Sequence, residues 1–158
     1  MLLRRFVEAD AEAVLKLNEE SVWALSPLDL TGLRTHQDSA AHCVAVEEDG
    51  QVAAFAIAYA PGSGYDSVNY LWFAGRFDEF FYLDRIAVGK TFRRRGIATL
   101  IYDELETRAA PHLRMVCEVN SDPPNLGSLA FHQARGYREI GHLVQPDGHE
   151  TVMLEKPL

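Results

Sequence analysis

One unit near the middle of the chain constrains the fold more than any other: a strand, a basic turn, a helix and a second strand in succession. The run Phe81–Val88 and residues 115–119 are apolar and typical of buried strands. Between them, apolar residues recur at helical spacing from Ile97 to Leu105, and Pro111 ends that pattern. Strands joined by a helix in one sheet run parallel, with a right-handed crossover. The unit therefore predicts a parallel strand pair covered by a helix.

Two Asp-Gly pairs, at 49–50 and 147–148, each lie between strand-like runs. Such pairs supply the positive φ angles of a tight turn and predict two β-hairpins, one on either side of the central unit. The chain has 158 residues, which suits one domain spanning 1–158. These elements together indicate a mixed α/β (α+β) sheet with helices on its faces.

Further helices are predicted from residues that cap helix N-termini. Asp10 and Asn125 each precede an apolar repeat of helical spacing, and Ser26 precedes Pro27, a residue suited to the first helical position. The helix after Asn125 is expected to end at Gly136.

The charge balance excludes several classes of protein. There are 15 Lys and Arg residues against 23 Asp and Glu, a net charge of −8, which argues against nucleic acid and anionic membranes as partners. No run is long enough to span a membrane, and the first residues lack the apolar region of a signal peptide. Cys43 and Cys117 lie in apolar runs, as buried thiols do in a reducing compartment. We therefore expect a cytoplasmic protein.

The basic turn at 93–99, with the sequence RRRGIAT, is the most informative chemical feature. Gly96 and Ala98 allow a ligand to approach the backbone, and the helix that follows offers free N–H groups. Three arginines add charge for a phosphate group. A solvated turn before an ordinary helix explains the same composition. The pattern matches neither a P-loop nor a Rossmann fingerprint.

Two motifs give the chain a family resemblance. R-x-x-G-x-A at 93–98 resembles the acetyl-CoA signature Q/R-x-x-G-x-G/A of the GNAT N-acetyltransferase superfamily. N-x-x-S-x-x-F-H-x-x-x-G-Y at 125–137 resembles the N-x-x-A-x-x-L/F-Y-x-x-x-G-F segment of the same superfamily. The resemblance is sharpest over 81–137. The segments YDSxNYxWF at 65–73 and CEVN at 117–120 resemble a bacterial subgroup of predicted acetyltransferases.

The resemblance implies a twisted, mostly antiparallel sheet of six or seven strands. Its one parallel pair, residues 82–88 and 115–119, would splay apart and hold acetyl-CoA in the resulting V. The turn's N–H groups would bind the CoA pyrophosphate, and the exposed strand edge would bind the pantetheine arm. The residues implied in CoA binding are Ile86, Ala87, Val88, Arg93, Arg94, Arg95, Gly96, Ile97, Ala98, Thr99, Asn120, Asn125, Ser128 and Phe131.

The resemblance also implies direct transfer of an acetyl group to an amine, on a small molecule or a peptide N-terminus, in a ternary complex. Asp84 occupies a strand position where many relatives carry an acidic residue, so it is the predicted base; an ion pair with Arg85 is the alternative. His132 stands where the family usually places a tyrosine acid. Its reference pKa of about 6.5, against about 10 for tyrosine, favours accepting a proton or orienting a ligand. A surface histidine without a catalytic role is the other interpretation.

Residues 65–82 contain eight aromatic side chains. Tyr65, Asn69, Trp72 and Phe73 are the predicted acceptor wall, although packing in a core explains the same cluster. Two other classes remain open: a non-catalytic acyl-CoA-binding module of the same fold, and an interaction domain or homodimer built on this segment. The remaining histidines lack the spacing of metal ligands, so no metal is expected.

Overall fold

A single seven-stranded sheet organises the molecule. The computed structural model describes residues 1–158, and the sheet has the order β1-β2-β3-β4-β5-β7-β6. Every neighbouring pair is antiparallel except β4 and β5. This confirms the predicted fold class and its one parallel pair. The strands are β1 (Leu2–Arg5), β2 (His42–Glu48), β3 (Gln51–Tyr59), β4 (Phe81–Val88), β5 (Arg114–Asp122), β6 (Arg138–Val144) and β7 (Glu150–Pro157).

Five helices cover both faces of the sheet: α1 (Ala11–Glu20), α2 (Leu30–Ser39), α3 (Val68–Ala74), α4 (Ile97–Ala109) and α5 (Leu126–Ala134). Apolar side chains of α1, α2 and α3 pack in one buried cluster, and those of α4 pack in a second cluster that α5 also contacts. Each face of the sheet thus has its own core. None of the helices combines the length and apolar character needed to cross a membrane.

The two turns that Asp-Gly pairs predicted are both present. Asp49 and Gly50 join β2 to β3 with φ angles of 54° and 72°, the positive values that a two-residue hairpin requires. Gly148, at φ 93°, lies in the longer turn between β6 and β7. Both hairpins are confirmed.

The predicted helix start at Ser26 and Pro27 is wrong. Helix α2 begins at Leu30, and its cap is Asp29, whose Oδ1 accepts a hydrogen bond of 2.7 Å from the Gly32 N–H. The hydroxyl and carbonyl of Ser26 instead accept hydrogen bonds from Arg85 on β4. A partner distant in sequence therefore uses the groups that would have capped a helix.

The aromatic segment 65–82 is mainly part of a core. None of its eight rings is exposed, and Tyr70, Phe73, Phe80 and Tyr82 are buried in the cluster shared with α1 and α2. An interaction surface built from these rings would need them to be exposed. The interaction-domain alternative therefore loses the feature that suggested it.

The parallel pair β4–β5 is joined over a very short stretch. Its ladder contains only the pairs Phe81–Met115 and Tyr82–Val116. Beyond these residues the two strands diverge, while β4 stays paired with β3 and β5 stays paired with β7 along most of their lengths. The sheet therefore opens at its centre.

We predict that Gly141→Ala destabilises the protein by about 1–3 kcal/mol, the usual cost of overpacking. A Cβ at Gly141 would lie 2.5 Å from Cζ2 of Trp72, whose ring also contacts Arg76. Gly127→Ala on α5 is the matched control, because a Cβ there meets no atom within 4 Å and alanine favours a helix. Urea unfolding of both variants makes the comparison. Equal stability of Gly141→Ala and the wild type would contradict the packing of Trp72 on β6.

Candidate active site

The divergence of β4 and β5 opens a cleft of about 630 Å³. Its walls come from both strands, from α4 and α5, and from residues before and within α3. The loop between α1 and α2 and the turn between β6 and β7 close one end. Side chains distant in sequence therefore meet at the centre of the sheet.

The free edge of β4 forms one wall. Ile86, Ala87 and Val88 pair with β3 on one side, whereas no ladder joins them to β5 on the other. Backbone groups on an unpaired edge can bind an extended ligand as a further strand does. The splayed pair that the resemblance implied is thus present, at the strands predicted for it.

Asp84 lies at an irregularity of β4. Arg85 is opposite Ile57 and Leu83 is opposite Ala58, so Asp84 is the extra residue of a β-bulge. Its side chain is 8% exposed, and Oδ1 accepts a 2.9 Å hydrogen bond from the Tyr65 hydroxyl. Oδ2 lies 3.4 Å from Nε of Arg85. The carboxylate predicted as the base therefore has an aromatic and a cationic partner.

Arg85 fastens the loop that follows α1 to the sheet. Its guanidinium donates to the carbonyl of Ser26 at 2.8 Å, to the Ser26 hydroxyl at 2.6 Å and to Oδ1 of Asn18 at 3.0 Å. The side chain is buried. The guanidinium group is therefore bonded to protein groups inside the wall of the cleft.

A second carboxyl group, Glu118 on β5, faces the cleft and was not among the predicted catalytic residues. Tyr82 donates its hydroxyl to both carboxyl oxygens, at 2.8 and 2.9 Å, and Asn69 donates to Oε1 at 3.0 Å. Burial and the nearby Asp84 carboxylate raise the pKa of Glu118 to about 8. The signal in the sequence was a lone carboxylate within the apolar strand that begins at Met115.

His132 on α5 lies on the other side of the cleft and is 4% exposed. Its Nδ1 is 2.7 Å from the Ser128 carbonyl oxygen, which only accepts, so Nδ1 carries the proton. Nε2 then accepts from the Tyr102 hydroxyl at 2.6 Å. Burial lowers the pKa of His132, which keeps the ring neutral. Both ring nitrogens are therefore committed to protein partners.

Helix α5 begins at the cleft. Asn125 caps it, because its Oδ1 accepts from the Ser128 N–H at 3.3 Å. Asn120, Asn125 and Ser128 all line the cleft, whereas Phe131 packs on Tyr102 behind it. Three of these four predicted CoA contacts thus lie at the cleft surface.

The basic turn lies beyond the C-terminal end of β4, where it leads into α4. Gly96 is at φ 81° and Arg94 at φ 62°, conformations that turn the chain sharply into the helix. The first backbone hydrogen bond of α4 joins the Leu100 N–H to the Gly96 carbonyl, so the N–H groups of residues 97–99 have no intrahelical partner. The three arginines are exposed, and Arg95 pairs with Asp49 at 3.1 Å. The turn is suited to an anion.

The predicted acceptor residues divide into two groups. Tyr65 and Asn69 line the cleft. Trp72 instead packs against Gly141 and Arg76, and Phe73 has no exposed surface, so neither reaches the cleft. Position along the chain accounts for the division: Tyr65 precedes α3 and Asn69 is in its first turn, whereas Trp72 and Phe73 lie one turn later, against β6 and in the core.

The chemistry of the cleft differs between the two faces of the sheet. Asp84 and Glu118 lie on the face covered by α1, α2 and α3, next to Tyr65, Tyr82 and Asn69. His132 and Tyr102 lie on the face covered by α4 and α5. A ligand held between β4 and β5 would therefore have carboxylates on one side and a hydroxyl–imidazole pair on the other.

Comparison with known proteins agrees with this geometry. The profile of the Acetyltransferase (GNAT) family matches residues 9–137. No curated protein matches the chain. The chain is also similar to solved structures that are 15–22% identical to it, and these likenesses show the fold.

Three of these structures illustrate the similarity. A ribosomal-protein-alanine N-acetyltransferase from Brucella melitensis is 22% identical, with a TM-score of 0.75 and 100% of each chain covered. Ard1 from Thermoplasma volcanium is 15% identical, with a TM-score of 0.78 and coverage of 99% of this chain and 97% of that one. Naa20 from Chaetomium thermophilum, solved with a bisubstrate analogue, is 17% identical, with a TM-score of 0.79 and coverage of 100% and 87%.

The profile spans well over half of the chain and contains both motifs on which the resemblance rested. The prediction of an acetyltransferase enzyme is thereby confirmed. The chain belongs to the acetyltransferase (GNAT) family.

Proposed function

We propose that this protein transfers the acetyl group of acetyl-CoA directly to a primary amine, in a ternary complex. The observation that carries the proposal is the open cleft between β4 and β5, with a free strand edge leading to a helix N-terminus and carboxylates on one side. The extended pantetheine arm of acetyl-CoA can pair with a free strand edge, and an amine acceptor needs a base. The cleft offers both.

The residues on one wall suit CoA. The N–H groups of residues 94–99 would bind the pyrophosphate, with the charges of Arg93, Arg94 and Arg95 in support. The free edge of β4 at Ile86–Val88 would bind the pantetheine arm, and Asn120, Asn125 and Ser128 would contact it from the opposite wall. When bound, acetyl-CoA supplies the acetyl group as an activated thioester.

Glu118 is the base that this geometry favours. An amine acceptor arrives as an ammonium ion and needs to lose a proton before its nitrogen can form a bond to carbon. A carboxyl group whose pKa is raised to about 8 is a stronger base than an ordinary carboxylate, and it can take that proton once it is ionised. Asp84 is bonded to Tyr65 and lies close to Arg85, and it raises the proton affinity of Glu118. Asp84, the base predicted from the sequence, is the competing candidate.

On the other side of the cleft, His132 orients a hydroxyl group. Its Nε2 accepts from Tyr102 and its Nδ1–H donates to the Ser128 carbonyl, so the ring has no proton free for a departing thiolate. We assign His132 the role of holding the Tyr102 hydroxyl in place through this hydrogen bond.

The acceptor would enter past Tyr65 and Asn69, beneath the loop after α1 and the β6–β7 turn. Peptide N-termini are the favoured class, because one of the similar structures is a ribosomal-protein-alanine N-acetyltransferase. Small primary amines remain the alternative. The two unpaired thiols support a cytoplasmic setting.

We predict that acetyl-CoA binds the wild-type protein and that Arg94→Glu weakens binding about tenfold or more. A charge-assisted hydrogen bond contributes about 1.5–3 kcal/mol, and 1.4 kcal/mol corresponds to about tenfold in Kd. Calorimetric titration measures both. Arg34→Glu is the matched control, because Arg34 is exposed on α2 and pairs only with Glu8. Equal affinity of Arg94→Glu and Arg34→Glu would contradict the assignment of the turn to CoA.

We predict that Glu118→Gln lowers kcat about 10²- to 10⁴-fold, the usual contribution of a general base. The kcat/KM of the wild type should rise with pH to a plateau above about 8, since the carboxyl group acts only when ionised. The rates are measured as release of the CoA thiol at different pH values, with one amine as the acceptor. A pH dependence that persists in Glu118→Gln belongs to the amine and not to Glu118.

Asp84→Asn distinguishes the two carboxylates. Removing its charge lowers the pKa of Glu118, so the same limb should move to lower pH while activity persists. If Asp84→Asn abolishes the limb and Glu118→Gln keeps it, Asp84 is the base and our assignment is wrong.

A further inference from the structure

Three side chains from separate elements form a hydrogen-bonded chain that ends at Glu118. Gln145, at the end of β6, donates from Nε2 to Oδ1 of Asn69 at 2.7 Å and to the Thr151 hydroxyl at 2.9 Å. Asn69, on α3, donates from Nδ2 to Oε1 of Glu118 at 3.0 Å. Gln145 is 9% exposed and Thr151 is 2% exposed. The chain therefore runs through the protected floor of the cleft.

The two side-chain amides fix the donor-to-acceptor direction of these hydrogen bonds, from Gln145 to Asn69 and from Asn69 to Glu118. An amide nitrogen only donates, and an amide oxygen only accepts. Because Nε2 of Gln145 meets Oδ1 of Asn69, the NH₂ group of Asn69 points at Glu118. The reversed amide of Asn69 would place NH₂ against NH₂ and a carbonyl oxygen against the carboxyl oxygen. Gln145 therefore determines which end of Asn69 faces the base.

A donor aimed at a carboxyl group stabilises its charged form. Other groups around Glu118 act in both directions: burial and Asp84 favour the neutral acid, while the Tyr82 hydroxyl and the Arg85 charge favour the anion. The titratable and charged groups that share the cleft with Glu118 or interact with it electrostatically are Tyr65, Tyr82, Asp84, Arg85, Tyr102, Cys117, His132, Asp147 and His149; of these, Tyr102, Cys117 and His132 lie on the opposite face of the sheet.

We propose that Asn69 and Gln145 are positioning residues, which together hold an N–H donor on Oε1 of Glu118 and thereby favour its ionised, proton-accepting form. The proposal rests on the proposed function in so far as Glu118 is the base. It assigns Asn69, predicted as part of the acceptor wall, a second role. Gln145 also begins the turn that carries Asp147 and His149, so the chain links the turn over the acceptor end to the base.

The test is a titration of the Glu118 carboxyl carbon by NMR in the full-length protein, with the signal assigned by its loss in Glu118→Gln. Asn69→Ala removes the donor, Gln145→Leu removes the group that orients it, and the double variant contains both changes. Gln51→Leu is the matched control, because Gln51 is exposed at the start of β3 and does not line the cleft. Thermal unfolding of each variant verifies that it is folded.

We expect Asn69→Ala to raise the pKa of Glu118 by about one unit, since a hydrogen bond to a charged group contributes about 1.5–3 kcal/mol and one unit corresponds to about 1.4. Gln145→Leu should raise it in the same direction, Gln51→Leu should leave it unchanged, and the double variant should match Asn69→Ala alone. Such non-additivity shows that Gln145 acts through Asn69. An unchanged pKa of Glu118 in Gln145→Leu, or additive effects in the double variant, would overturn the proposal.

Kinetics supply a second readout that a merely structural role would not produce. The low-pH limb of kcat/KM should move to higher pH in both Asn69→Ala and Gln145→Leu by the amount that the NMR titration gives for each, whatever the change does to the height of the plateau. An unmoved limb overturns the proposal. The NMR titration needs no turnover, so it tests the positioning roles separately from the proposed function. If the pKa of Glu118 shifts but no acetyl transfer is found, only the proposed function is rejected. If acetyl transfer is found but the pKa does not shift, only the positioning roles of Asn69 and Gln145 are rejected.

Discussion

The two-residue ladder between β4 and β5 is the constraint on which the rest of the structure depends. After Phe81 and Tyr82 the strands lose their mutual hydrogen bonds, so a row of backbone groups at the centre of a sheet is left without strand partners. Unpaired backbone groups are costly when they are buried, and a ligand or water needs to satisfy them. A bound extended ligand would complete the sheet. The proposed binding of acetyl-CoA along β4 would satisfy these backbone groups.

The two carboxylates of the cleft have different surroundings, and the difference comes from the backbone. The bulge in β4 turns Asp84 toward Tyr65 and Arg85, where it has partners of opposite charge and of hydroxyl type. The regular alternation of β5 places Glu118 toward the opening, with only neutral donors bonded to it. Neutral donors offset its burial in part, and the neighbouring carboxylate opposes them. The different surroundings are the reason why we propose Glu118, and not Asp84, as the proton acceptor.

Sequence patterns predicted most of the helices, strands and turns, because these elements depend mainly on interactions between residues close in sequence. The Asp-Gly turns, the helix after Asn125 and the strand Phe81–Val88 depend on residues close in sequence. The start of α2 was predicted wrongly, because the carbonyl and hydroxyl of Ser26 accept hydrogen bonds from Arg85, which is distant in sequence. The same limit applies to the site. Motifs predicted the turn before α4, whereas the meeting of Glu118 with Tyr82 and Asn69 depends on tertiary packing that no sequence spacing reveals.

Arg85 has a consequence for how this enzyme can change. It secures the loop after α1 through the backbone carbonyl and hydroxyl of Ser26 and through Asn18, while the residues between these two points make no bond to it. Val22 and Trp23, in that interval, line the cleft and are exposed. The two ends of the loop are therefore held by Arg85, whereas the side chains at its middle are not. New side chains at 22 and 23 would change the lining of the cleft at the proposed acceptor entrance, while the strands and the two carboxylates keep their positions.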